Sequence, residues 1–153
     1  MEMKTNKNYQ ILNRIECNDF DLTEDTYISH TIIETVDFRF YSFKHHVHID
    51  GCVIENLLIH STFFEGGFTL ENCIIMNDIN YEMGGHNKSP FIICNNIFHN
   101  VLQFFDCIFD AELMIKNNVF CKGASLYNNT NYFPQSTKII DNIGDLNLYV
   151  NLG

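Results

Sequence analysis

A chain of 153 residues, 46% of them hydrophobic, is long enough to bury a core of its own and too apolar for an intrinsically disordered segment. Nine Lys and Arg against nineteen Asp and Glu give a formal charge of -10, which argues against a phosphate-directed nucleic-acid surface and against docking on anionic lipid. No apolar run reaches the ~18 residues of a spanning helix and Met1–Asn8 has no apolar signal core, so a cytoplasmic protein with six reduced cysteines is expected.

In chain order, residues 1–11 read as a polar lead-in. Residues 12–27 read as a degenerate first coil, with Leu12, Cys17 and Leu22 in phase. Acidic residues gather here and just beyond: Glu16, Asp19, Asp21, Glu24, Asp25, Glu34 and Asp37. From Ile28 onward a large apolar residue recurs every five or six positions, through Ile33, Phe38, Phe43, Ile49, Ile54, Ile59, Phe64, Leu70 and Ile75, and again from Ile93 through Phe98, Phe104, Phe109, Ile115, Phe120 and Leu126. Between the two runs, residues 81–90 hold Gly84-Gly85 and Ser89-Pro90, turn signals that predict a loop protruding from the side of the fourth coil. Residues 127–153 read as an irregular segment followed by a C-terminal cap, with closing strands at Ile139-Ile140 and Leu146–Val150.

Steps of five and six do not fit the 3.6-residue period of an amphipathic helix. Four steps make one turn, and at that period the columns are consistent. One reads Ile33, Ile54, Ile75, Phe98, Phe120, and another Ile28, Ile49, Leu70, Ile93, Ile115. A third reads Phe38, Ile59, Tyr81, Phe104, Leu126, and the fourth Phe43, Phe64, a gap, then Phe109. Two positions before the first column sit Cys52, Cys73, Asn96 and Asn118, on the same inward strand face. Asn96 and Asn118 are the best placed to stack as a hydrogen-bonded ladder. The expected fold is therefore all-β: a single-domain right-handed parallel β-helix, or β-solenoid, of about six coils of roughly 22 residues, coiled over 12–126. One coil cannot bury its inward residues alone, so stability comes from stacking. Cys94 and Cys121 follow inward residues and should face outward, and no disulfide is expected.

A five-residue step with Phe, Leu or Ile at the centre and Cys two before it, as in Cys52-Val53-Ile54, Cys73-Ile74-Ile75 and Cys107-Ile108-Phe109, resembles the pentapeptide-repeat family over residues 28–126. Six-residue steps depart from that pattern, and the wider right-handed β-helix group is the alternative. For some pentapeptide-repeat proteins the resemblance implies mimicry of DNA.

Candidate chemistry is sparse. His46 and His48 share one strand face at a spacing that can ligate zinc or copper, given a third ligand such as His60 or Asp50; the competing reading is a solvated strand face. Carboxylates that could pair for glycoside chemistry are Asp106, Asp110 and Glu112, or Glu55, Glu65 and Glu71, with Asp50 and Glu71 one coil apart. No catalytic residue, metal or cofactor is assigned. The leading expectation is a bacterial, non-enzymatic acidic interaction protein that binds a basic protein partner through Glu16, Asp19, Asp21, Glu24, Asp25, Glu34 and Asp37, as a DNA mimic or a toxin-neutralising immunity protein. One alternative is a carbohydrate-active enzyme or glycan-binding module with exposed Tyr81, Tyr127 and Tyr132. The other is a structural subunit that self-assembles, or dimerises, through a coil end.

Overall fold

The computed structural model describes residues 6–149, and over them the chain is a β-solenoid. Its first sheet stacks seven parallel strands: Asn6–Asn8, Thr26–Ser29, Val47–Asp50, Phe68–Glu71, Phe91–Cys94, Leu113–Lys116 and Lys138–Ile140. A second sheet stacks Ile11–Glu16, Ile32–Asp37, Val53–Leu58, Ile74–Ile75, Ile97–Phe98 and Val119–Phe120. Its first three strands run on around a corner. In later coils the same side is a separate sheet of Ile79–Glu82, Leu102–Phe105 and Ala124–Ser125. The fourth side pairs Ser42–Phe43 with Phe63–Phe64 and continues as single bridges from Phe63 to Gly85, Gly85 to Ile108 and Ile108 to Tyr132.

Register ties the stack together. Asn6, Tyr27, His48, Thr69, Ile92, Met114 and Lys138 are successive partners, so the coils advance by 21, 21, 21, 23, 22 and 24 residues. All four inward columns are present and buried, and paired residues meet in the registers Ile33–Ile54, Ile49–Leu70 and Tyr81–Phe104. Like stacks on like: the Phe98 and Phe120 rings lie 4.9 Å apart at 6°, and Phe43 and Phe64 5.5 Å apart at 9°. Each ring removes its neighbour from water, which is the source of the coil-to-coil attraction.

The corner between the first and second sheets needs a left-handed residue in every coil. Tyr9, His30, Gly51, Asn72, Asn95, Asn117 and Asp141 occupy it with φ between 48° and 65°. Asn and Asp tolerate that region better than other residues with a side chain, which accounts for the repeated Asn. The paired Asn residues therefore have separate tasks. Asn95 and Asn117 turn the corner, whereas Asn96 and Asn118 point inward and hydrogen-bond between coils. The inward ladder runs Cys52, Cys73, Asn96, Asn118, Asn142, and each Asn amide also donates to a backbone carbonyl of the coil before it.

Four expectations are corrected. The coils extend beyond 12–126, because Asn6–Asn8 and Lys138–Ile140 are strands of the first sheet. In the first coil the buried hydrophobic residues are Ile15 and Phe20, with Phe20 edge-on to Phe38, while Leu12, Cys17 and Leu22 are only half-buried. Of the expected closing segment Leu146–Val150, Asn147 makes one antiparallel bridge to Ser125 and no strand forms among the described residues, which exclude Val150.

The fourth correction concerns residues 81–90, which do not protrude. Tyr81 is fully buried in the strand Ile79–Glu82, and Gly84, Gly85 and Asn87 are buried with it. The gap in the Phe column is filled sideways by the Tyr81 ring, which packs against Phe64, Phe91 and Phe109. Its hydroxyl donates to the Thr62 carbonyl at 2.9 Å and accepts from the Gly85 N–H at 2.7 Å. Any Cβ on Gly84 would overlap this ring, so the glycine pair makes room for a side chain and is not a sign of exposure.

Candidate interaction face

The second sheet presents an outward column one residue before the inward one. Ile11, Ile32, Val53, Ile74, Ile97 and Val119 are in register along it, and a bridge from Val119 adds Ile143. Ordinary alternation would place polar residues here. Instead the side chains are aliphatic, with Ile11 81%, Ile32 53%, Ile97 39% and Ile143 67% exposed. At about 4.8 Å per coil the stripe is about 29 Å long. The sequence carries its signal as apolar doublets, Ile32-Ile33, Val53-Ile54, Ile74-Ile75, Ile97-Phe98 and Val119-Phe120, which break the two-residue alternation at every turn.

Beside the stripe, the next outward position holds Asn13, Glu34, Glu55 and Met76, all exposed. Glu34 and Glu55 line a shallow groove with Ile11, Ile32, Val53 and Met76. Among the described residues neither carboxylate takes part in an ion pair. Like charges on adjacent strands repel, so this corner carries an electrostatic cost that a bound cation would relieve.

The acidic residues of the first coils divide sharply by environment. Asp37 is gripped by Arg14 and Arg39, and the Arg39 hydrogen bonds hold its carboxyl below the usual carboxylate range. Glu16 pairs with Arg14. Asp19 accepts the Glu16 N–H and Asp21 caps Thr23, so these two build turns, while Asp25 accepts the His46 N–H of the next coil at 3.0 Å. Glu24 is exposed and lies outside those networks. Of the seven expected contact residues, Glu34 alone sits beside the apolar stripe.

His46 and His48 do share the outer face of the first sheet, with ring centroids 6.1 Å apart. Three of their four nitrogens are engaged: His46 Nδ1 faces the Gly66 carbonyl at 3.3 Å and Nε2 faces Thr69 Oγ1 at 3.0 Å, while His48 Nε2 meets Glu71 Oε1 at 2.6 Å. Neither His60, paired with Glu82, nor Asp50, hydrogen-bonded by Asn72, joins them as a third ligand. Among the described residues no three His, Cys, Asp or Glu side chains converge as a metal site.

The carboxylates considered for sugar chemistry are scattered. Asp50 and Glu71 are register partners on the first sheet, Glu55 lies on the second, and Asp110 pairs with His86. Glu65 is held between Lys44 and Lys88 of the neighbouring coils and accepts from Ser42; these bonds bring its carboxyl down to about 2. Of the aromatics expected to line a groove, Tyr127 and Tyr132 are exposed but Tyr81 is buried. All six cysteines are free. Burial pushes the Cys17 thiol up to about 11 and the Cys107 thiol up to about 12, and burial with nearby Glu71 raises Cys94, so these thiols are poor nucleophiles. Among the described residues, no helix is long and apolar enough to cross a membrane. Comparison with family models, with curated proteins and with solved structures gave no match.

Proposed function

We propose that this solenoid is a non-enzymatic scaffold that binds a basic protein partner. One observation carries the reading. Arg14, Arg39, Lys44 and Lys88 are spent on just three carboxylates, Glu16, Asp37 and Glu65, so four of the nine cations neutralise little of a chain that carries nineteen acids. The remaining negative charge projects from a rigid frame, and such a field steers cationic partners and speeds their association. Immobilised protein should retain basic proteins at about 0.15 M salt and release them as screening increases. Retention that ignores ionic strength, or a partner without a cationic surface, overturns the reading.

Two finer versions differ in what the partner does. A DNA mimic competes with duplex DNA for its partner, whereas a toxin-neutralising protein blocks a partner that need not bind DNA. Competition by duplex DNA for the retained partner separates them. Kinship with pentapeptide-repeat proteins, which favours the first version, is supported by the five-residue inward steps and opposed by coils that lengthen to 24 residues.

A second reading, a glycan-binding module, is favoured by exposed Tyr9 and Tyr27 beside Ser29, His30, His48 and Asp50 in one shallow pocket. Aromatic faces ringed by hydrogen-bonding groups suit sugar rings. Quenching of tyrosine fluorescence by soluble glycans tests it, and a spectrum unchanged across neutral, acidic and amino sugars rejects it.

A further inference from the structure

The geometry points to the outer face of the second sheet as the docking surface, and to a cationic amphipathic helix of a partner protein as its occupant. The inference rests on the basic-partner reading and gives it an address. A single-sided aliphatic stripe of about 29 Å matches the length of about 19 helical residues. Helices that lie in apolar grooves do so through residues at positions i, i+3, i+4 and i+7. Ile11, Ile32, Val53 and Ile97 supply the apolar contact, and Glu34 with Glu55 supplies anionic partners along one border.

Charge decides among occupants. A second copy laid on this face would bring Glu34 and Glu55, and a further -10, against the same groups. A stripe one residue wide also offers less than the about 800 Å² per partner of a standard stable interface, so charge complementarity must contribute. An anionic lipid surface meets the same repulsion. A helix with Lys or Arg flanking its apolar residues relieves the Glu34–Glu55 repulsion while covering the aliphatic side chains.

The test uses the full chain and a synthetic helical peptide of about 19 residues, Leu on one face and Lys on the other, followed by fluorescence anisotropy. An all-polar Lys–Ser peptide of equal charge is the control ligand. Two face variants, Glu34→Lys/Glu55→Lys and Ile32→Ser/Ile97→Ser, are compared with the off-face variant Glu24→Lys/Glu112→Lys, each checked for its β spectrum and melting. The expected result is saturable binding of the Leu–Lys peptide that weakens at least about tenfold in both face variants and changes less than about twofold in the off-face variant. Equal weakening by both charge variants overturns the face but leaves the acidic-scaffold reading intact, as does stronger binding of the Lys–Ser peptide. Salt-insensitive or undetectable binding of both peptides overturns the scaffold reading as well. A wild-type dimer in sedimentation that Ile32→Ser/Ile97→Ser dissolves assigns the face to a second copy, and overturns the proposal.

Discussion

Asn118 Oδ1 accepts two hydrogen bonds from Asn96, one from its backbone N–H and one from its side-chain amide, both at 3.0 Å. Both residues are buried, so neither bond has a water substitute at hand. Asn118→Leu removes the acceptor for two buried donors and the donor to the Ile93 carbonyl, while keeping the branched heavy-atom skeleton. Leaving a buried group unsatisfied costs about 1–3 kcal/mol, so a loss at the upper end of that range or beyond is expected in urea unfolding. A variant as stable as the wild type would mean that the ladder does not hold the coils in register.

Tyr81 tests whether residues 81–90 belong to the core. Tyr81→Phe keeps the ring and deletes the hydroxyl that joins Thr62 to Gly85, so a loss of about 1–3 kcal/mol is expected. Gly84→Ala forces a methyl group into the same ring and should cost more. Thermal melting of the two variants gives the order directly; a neutral Gly84→Ala would restore the picture of a projecting loop.

Phe98 stacks on Phe120 inside the rod, so Phe98→Asp puts an unpaired charge into the dry core. Loss of the far-ultraviolet β signal at room temperature is expected. Glu24→Lys, at an exposed site, should stay within about 0.5 kcal/mol of the wild type by the same denaturation measurement.

Glu65 links three coils through Lys44 and Lys88. Its carboxyl falls from an ordinary 4.5 to about 2 in the folded chain. A carboxylate lowered on folding adds stability above its unfolded value and loses that contribution as pH falls through the folded one. Melting temperatures of wild type and Glu65→Gln should therefore differ most above pH 4.5 and converge toward pH 2. High salt should narrow the gap, since these side chains reach solvent. A gap that widens in acid would contradict the lysine clamp.

The corner and core asparagines show how far sequence reaches in a solenoid. Phe98, Phe120, Ile54 and Ile75 declare themselves because identical environments recur at a near-constant interval, and an inward site demands the same bulk each time. The outward stripe was equally periodic, as Ile32 and Ile97 attest, yet a doublet such as Ile32-Ile33 reads as one hydrophobic position until the strand direction is known. The acidic stretch misleads for a related reason: Glu16, Asp19 and Asp37 are near Glu24 and Glu34 in sequence, but their carboxylates serve turns and arginines.

Periodicity alone determined that the chain coils, which residues face inward from Ile28 to Leu126 and that Asn96 and Asn118 belong to a ladder, because stacking repeats one environment turn after turn. Tertiary structure alone decided that the Tyr81 ring fills the gap in the Phe column through the space left by Gly84, that Asp37 is neutralised while Glu34 is not, and that aliphatic side chains line one outer face. Those outcomes depend on contacts between residues about 21 positions apart and on the local turn of the backbone, and neither is carried by the spacing of residues along the chain.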